Sequence, residues 1–273
     1  MTFASGKQLF ESREFWVYIN SLKNIPNADH VILTHDMDSS VRDRLFHKEI
    51  EVVDVPAESI HFLYRDRHLA FRNYLNDHGH KYKYVLVTDS RDVMFQANPF
   101  DWIPEWKARF TNIKGKLQFL DHFVILTAEG FKIEKSGFAC IEHFEFQRDV
   151  PRPYLKEDKN RWVINGGVAM GTPQAMMNFH FLVWSLTLKT IGRCTDQATI
   201  NWLMYYLDDD DTYSVSFPQH DNLCLTGEGV KEGAVEPILK GNILMNAHEK
   251  PYCMVHQWDR LEHFRDAVLA HYV

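Results

Sequence analysis

The sequence lacks any apolar run of about 18 residues and any apolar core behind its opening Met1-Thr-Phe-Ala-Ser-Gly-Lys, so neither a membrane-spanning helix nor a secretory leader is expected. A soluble, cytoplasmic chain follows from those absences, and a domain cut from a longer protein would read the same way. The four cysteines, Cys140, Cys194, Cys224 and Cys253, form no Cys-x-x-Cys pair, which fits reduced, mostly buried thiols better than a zinc site. Glycine (13) and proline (10) are spread thinly over 273 residues, excluding collagen-like and linker-rich classes. Positive charge is short as well. With 30 Lys and Arg against 37 Asp and Glu, the net charge of −7 gives no general attraction to nucleic acid. P-loop, His-Glu-x-x-His and Gly-x-Ser-x-Gly signatures are absent, as are internal repeats.

What is present is a globular composition, 45% apolar and 25% charged, long enough to bury a sizeable core within one domain. Short β-rich runs over 29–33, 49–55 and 82–88 alternate with amphipathic helical runs over 11–22 and 66–78. This βαβ rhythm predicts an α/β chain. The solid apolar run Tyr84-Val-Leu-Val suits a parallel strand buried on both faces. Residues 147–161, with Pro151 and Pro153 among charges, read as a surface loop. A strand at Trp162-Val-Ile follows, then helices over 173–188, 196–207 and 259–273; Thr172 is placed to cap the first of these and Pro173 to open it.

Four segments carry candidate chemistry. In Tyr84-Val-Leu-Val-Thr-Asp-Ser-Arg-Asp-Val a buried strand ends in Asp89 and Asp92, at the strand terminus where open α/β sheets bind ligands. Two carboxylates there suit Mg²⁺ or Mn²⁺; equally, Asp89 and Ser90 can cap a turn while Arg91 neutralises the acids. In Asn165-Gly166-Gly167 the glycines let a ligand approach the backbone and Asn165 offers both donor and acceptor, or the segment is a tight turn. Asp196-Gln197 opens a helix, where the acid complements the helix dipole or serves a site. His256 ends a short apolar strand, as a ligand or as a structural histidine. The acidic run 208–211, His78 with His80, and the glycine-rich 226–233 read as solvated loop, helix end and ordinary loop.

Asp-x-x-Asp after a strand, Asn-Gly-Gly, Asp-Gln on a helix and a late His together resemble, in order and spacing, the GT-A class of glycosyltransferases. The pattern is most similar to family 8, which includes glycogenin and bacterial lipopolysaccharide galactosyltransferases, and it spans nearly the whole chain. The resemblance implies a single Rossmann-like, mostly parallel α/β domain over 1–273. Its nucleotide-binding half would cover about 1–100 and its acceptor-binding half about 101–273. It implies a nucleotide-diphosphate sugar donor, UDP by preference, a glycan acceptor, and Mn²⁺ or Mg²⁺ held by Asp89, Asp92 and His256. Ala4, Ser5 and Gly6 look like the loop that receives the nucleotide, with Arg72, Asp89, Ser90, Arg91 and Arg260 also on the donor. Gly166 and Gly167 resemble a sugar-facing loop, and Asn165, Asp196 and Gln197 the catalytic set. Two departures are visible: the acidic motif is Asp-Ser-Arg-Asp, not Asp-x-Asp, and Gln257-Trp-Asp-Arg follows the late His where family 8 has Gly and Lys-Pro-Trp. Retention is favoured slightly over inversion. The rival activities are a sugar nucleotidyltransferase, whose glycine-rich first loop is missing here, and a silent carbohydrate- or nucleotide-binding module.

Overall fold

The apolar run at 84–87 lies in and just before a fully buried strand, and strands and helices alternate on either side of it. The computed structural model describes residues 1–114, 121–135, 160–188, 196–206 and 212–273. The loop expected at 147–161, except for its last two residues, the acidic run 208–211, Cys140 and Cys194 lie outside the described residues. In chain order the first elements are β1 (Thr2–Phe3), α1 (Lys7–Glu11), α2 (Arg13–Ser21), β2 (His30–Thr34), α3 (Ser39–Phe46), β3 (Ile50–Asp54), α4 (Leu63–His78), β4 (Val85–Thr88), β5 (Val93–Phe95) and α5 (Ile103–Lys114). Next come β6 (Val124–Lys132), β7 (Trp162–Gly171), α6 (Pro173–Thr187), α7 (Asp196–Tyr206) and β8 (Tyr213–Ser216). The last are β9 (Cys224–Thr226), α8 (Gly227–Lys231), β10 (Ile238–Lys240), β11 (Ile243–Met245), β12 (Met254–His256) and α9 (Glu262–Tyr272). No helix among the described residues is long and apolar enough to cross a membrane.

Two compact units emerge: Met1–Ala57 with Val87–Leu117 and Ser216–Val273, and Glu58–Leu86 with Gln118–Val215. In the first unit the strand order is β3-β2-β1-β4, with parallel pairing of β3 to β2, β2 to β1 and β1 to β4. Val31, Ile32 and Leu33 are buried, as expected for a parallel strand covered on both faces. The Ser12 hydroxyl accepts from Phe15 N and so starts α2, which turns Phe15, Val17 and Ile19 inward. A second sheet, β5-β12-β9, pairs β12 antiparallel to β5 and parallel to β9. Val17, Met94, Leu225, Val255 and Trp258 pack with Phe264 and Val268 of α9 into one core. Each such side chain contributes about 1.5–3 kcal/mol on burial, so this cluster fixes where β5 and β12 lie.

The second unit carries the order β7-β6-β8, with β6 and β7 antiparallel and irregular between Leu126 and Lys132. β7 does not stop at Ile164. It runs through Asn165, Gly166 and Gly167 to Gly171, so the glycine pair belongs to a strand and not to a turn or loop. Asn201 makes this workable by accepting from Ile164 N and donating to Ile164 O, both at 2.8 Å, which satisfies backbone groups beside the register shift. α6 begins at Pro173 as expected, but the Thr172 hydroxyl accepts from Phe123 N and makes no cap bond within its own helix. Glycine-rich 226–233 also departs from an ordinary loop, since α8 starts at Gly227.

Candidate functional site

Asp89 lies one residue past β4, Asp92 one residue before β5, and His256 is the last residue of β12. Because His256 is in register with Val93, the strand pairing delivers the imidazole to the acidic turn. His256 Nε2 lies 3.6 Å from Asp89 Oδ2 and 3.5 Å from Asp92 Oδ1, and one ligand atom from each residue can be chosen so that all three lie within 4.8 Å of one another. Burial pushes the His256 imidazole down, but Asp92 and Asp89 outweigh it and carry its pKa up to about 10. Two carboxylates and one imidazole form a donor set that fits Mn²⁺ or Mg²⁺, with the nitrogen better matched to Mn²⁺.

The rest of the turn is tied down by the same unit. Ser90, buried, donates to Phe3 O at 3.0 Å and so anchors the turn to β1. Arg91 is paired with Asp259 at 3.2 Å, and Arg260 with Glu228 at 2.6 Å. Gln257, beyond His256, adopts a left-handed backbone, donates its N–H to Asp92 O at 2.6 Å and accepts from Glu228 N at 3.0 Å. Gly227 is what permits this: a Cβ there would stand 2.1 Å from Gln257 O. Ala4 is buried behind β1, Ser5 is half-buried, and Gly6 N donates to Asp36 Oδ2 at 2.8 Å.

The second unit gathers a different set. Asp196, at the start of α7, is buried; its Oδ2 accepts from Arg67 Nε at 3.1 Å, from the Arg67 terminal nitrogen, and faces His68 Nε2 at 3.1 Å. Its Oδ1 accepts from Gln197 N at 2.9 Å. Burial pushes the Asp196 carboxyl up, but Arg67 and His68 prevail and hold it below the usual carboxylate range. Asn165 donates to Glu129 Oε1 at 2.7 Å and accepts from Gly167 N at 2.6 Å. A Cβ on Gly166 would come within 3.3 Å of the Gln197 Cβ, so the bare glycine lets α7 seat Gln197 against β7. Arg72 turns elsewhere on α4, donating to Asn73 at 3.0 Å and lying over the Phe181 ring.

Sequence reasoning singled out neither Arg67 nor His68, His180, Glu129 or Asp36. Arg67 and His68 sit in Tyr-Arg-Asp-Arg-His, where four polar residues in a row hide which ones face inward. The helical period offers one usable signal: His68 shares a face with Phe71 and Leu75, both buried. His180 stands in the apolar stretch of α6, where a histidine reads as core.

No protein-family model matches the chain, and no curated protein matches it by sequence. Among solved structures, the chain is similar to the galactosyltransferase LgtC in complex with donor and acceptor sugar analogs (TM-score 0.56, 11% identity, 98% of this chain and 94% of that one). It is likewise similar to an active-site mutant of LgtC in which a glutamine is replaced by glutamate (TM-score 0.56, 12% identity, 99% and 94%). At this identity the likeness establishes the fold: a mixed α/β, GT-A chain with a mostly parallel central sheet flanked by helices.

Proposed function

We propose that the protein is a metal-dependent glycosyltransferase that moves a sugar from a nucleotide-diphosphate donor, UDP-linked by preference, to a glycan acceptor. The observation that carries this reading is the Asp89, Asp92 and His256 group at the end of β4, within a fold like that of a galactosyltransferase. Asp89, Asp92 and His256 would hold a divalent ion, which would supply Lewis-acid stabilisation of the negative charge on the departing diphosphate. Asp89 and Asp92 bring hard oxygen donors, and His256 is oriented by its place at the end of β12. Ser90 keeps the turn in place, while Arg91 and Arg260, held by Asp259 and Glu228, are the cations that would meet the donor. The Ala4-Ser5-Gly6 loop receives the nucleotide.

Asn165, Gly166, Gly167, Asp196 and Gln197 take the sugar-facing roles. Asp196 has both oxygens engaged and a depressed pKa, which makes it a poor general base at neutral pH and favours retention over inversion. The LgtC mutant identifies a glutamine as part of that protein's active site, and Gln197 is the candidate for that role here.

The test is a panel of nucleotide sugars incubated with Mn²⁺ and with EDTA, followed by slow donor hydrolysis and transfer to simple sugars. Turnover of one donor, lost with EDTA, is expected. Silence across the panel, with no ligand-dependent thermal shift, would leave only a binding module. Pyrophosphate release from a nucleoside triphosphate and a sugar phosphate would instead identify a nucleotidyltransferase. An inverted anomer by NMR would overturn the assignment of retention.

A further inference from the structure

Behind Asp196 stands a chain of two histidines that no step above uses. α4 supplies His68, α6 supplies His180, and α7 begins with Asp196; all three side chains are buried. His68 Nε2 is 3.1 Å from Asp196 Oδ2, and His68 Nδ1 is 2.8 Å from His180 Nδ1. Two ring nitrogens at that distance share one proton, so one ring donates and the other accepts. The remaining nitrogen of His180, Nε2, is buried and has no hydrogen-bond partner among the described residues.

That last atom sets the direction of the chain. A proton on His180 Nε2 would strand a buried donor, whereas a bare lone pair there is the smaller penalty. The proton therefore sits on His180 Nδ1 and is donated to His68. His68 must then keep Nδ1 as a lone pair and carry its own proton on Nε2, where it donates to Asp196. A doubly protonated His68 would reverse the first bond and force the His180 proton onto the stranded nitrogen. Burial above all also holds the His180 pKa well below the usual histidine value.

We propose that His180 is a positioning residue: its Nδ1–H fixes His68 as an Nε2–H donor, and His68 with Arg67 locks the orientation of the Asp196 carboxylate beside Gln197. The consequence for catalysis rests on the sugar-facing role assigned above to Asp196 and Gln197, whereas the proton arrangement stands apart from it.

The first arm of the test is ring-nitrogen NMR on the wild-type protein at neutral pH. It should give an Nδ1–H tautomer for His180 and an Nε2–H tautomer for His68. An Nε2–H tautomer at His180, or an imidazolium at either ring, overturns the proposal. The second arm compares His180→Phe, which removes the donor, with His180→Asn, whose amide replaces it near Nδ1. The Arg67 Nε–H resonance, bonded to Asp196, should shift in the first variant and return in the second. The donor KM should rise roughly five- to tenfold in His180→Phe, as for loss of one hydrogen bond, and recover in His180→Asn. An unmoved Arg67 signal with equal KM in all three proteins removes the positioning role. If the wild type turns over no nucleotide sugar, the proposed function fails alone, and the two NMR readouts still decide this chain.

Discussion

Asp92 and His256 are joined at two levels: the Asp92 carbonyl accepts from the N–H of Gln257, next to His256, at 2.6 Å, and the Asp92 carboxylate stands 3.5 Å from His256 Nε2. The backbone level comes from β5 and β12 pairing over the core of Met94, Val255 and Trp258, so it does not depend on the carboxylate.

The fold should therefore survive loss of the side-chain level. Asp92→Ala is expected to melt within a few degrees of wild type while Mn²⁺-dependent binding of a nucleoside diphosphate disappears, with turnover falling about 100-fold or more. Calorimetric titration with and without Mn²⁺ checks it. Unchanged metal-dependent binding removes Asp92 from the ligand set.

Gly227 offers the complementary experiment, since it lies outside the ligand set but against the backbone that follows it. A Cβ there meets Gln257 O at 2.1 Å, and backbone cannot swing aside as a flexible side chain would. Gly227→Ala should cost about 1–3 kcal/mol by urea unfolding and should weaken Mn²⁺ binding through the displaced Gln257 and its neighbour His256. Wild-type stability in this variant would mean that the close approach is not maintained in solution.

Much of this was legible in the sequence, and the reasons for the rest are specific. The apolar run at 84–87 and the acids that end it announced a strand with two carboxylates beyond its terminus, because burial on both faces leaves no alternation to confuse the pattern. His256 after Met254-Val255 was readable in the same way, but its pairing with β5 was not, since 163 residues of register separate it from Val93. The Asn165 segment misled because two adjacent glycines ordinarily signal a turn. Here they remain in β7, and a buried Asn201 from another helix supplies the backbone bonds that make the strand tolerable. Arg67 was hidden by Arg72 on the same helix: five residues apart, they point to different faces, and only packing reveals that Arg67 reaches Asp196.

The buried His180 also fixes a pH dependence. Its folded pKa lies below the ordinary value of about 6.5 that it regains on unfolding, so the unfolded chain binds the extra proton first. Its contribution is fully present above about pH 6.5 and is lost as the pH falls below that, at no more than about 1.4 kcal/mol per pH unit. His256, held up to about 10, stays protonated in the folded chain across this range and contributes a slope of the opposite sign above about pH 6.5, but equally in wild type and His180→Phe, so it cancels from their comparison. Urea midpoints between pH 7 and 5 should fall more steeply for wild type than for His180→Phe. Parallel slopes would show that His180 titrates normally.

Asn201 is the most economical test of how Gln197 is held. Completely buried, it accepts from Ile164 N, donates to Ile164 O, and donates to Gln197 O, each at 2.8 Å, so one amide binds β7 to the first turn of α7. Truncation would leave buried backbone groups beside the register shift with no partner, and each such group costs about 1–3 kcal/mol. Asn201→Ala should therefore lose roughly 3–5 kcal/mol by chemical denaturation, more than an ordinary surface truncation of the same size. Asn201→Asp is the sharper probe, because it retains the acceptor for Ile164 N while turning both donors into a buried carboxylate facing two carbonyls. It should be at least as destabilising as alanine and should reduce kcat for any donor found in the panel, since the carbonyl of Gln197 would be repelled where it is now held. If Asn201→Asp retained wild-type stability and kcat, the amide bridge could not be what seats Gln197 against Gly166.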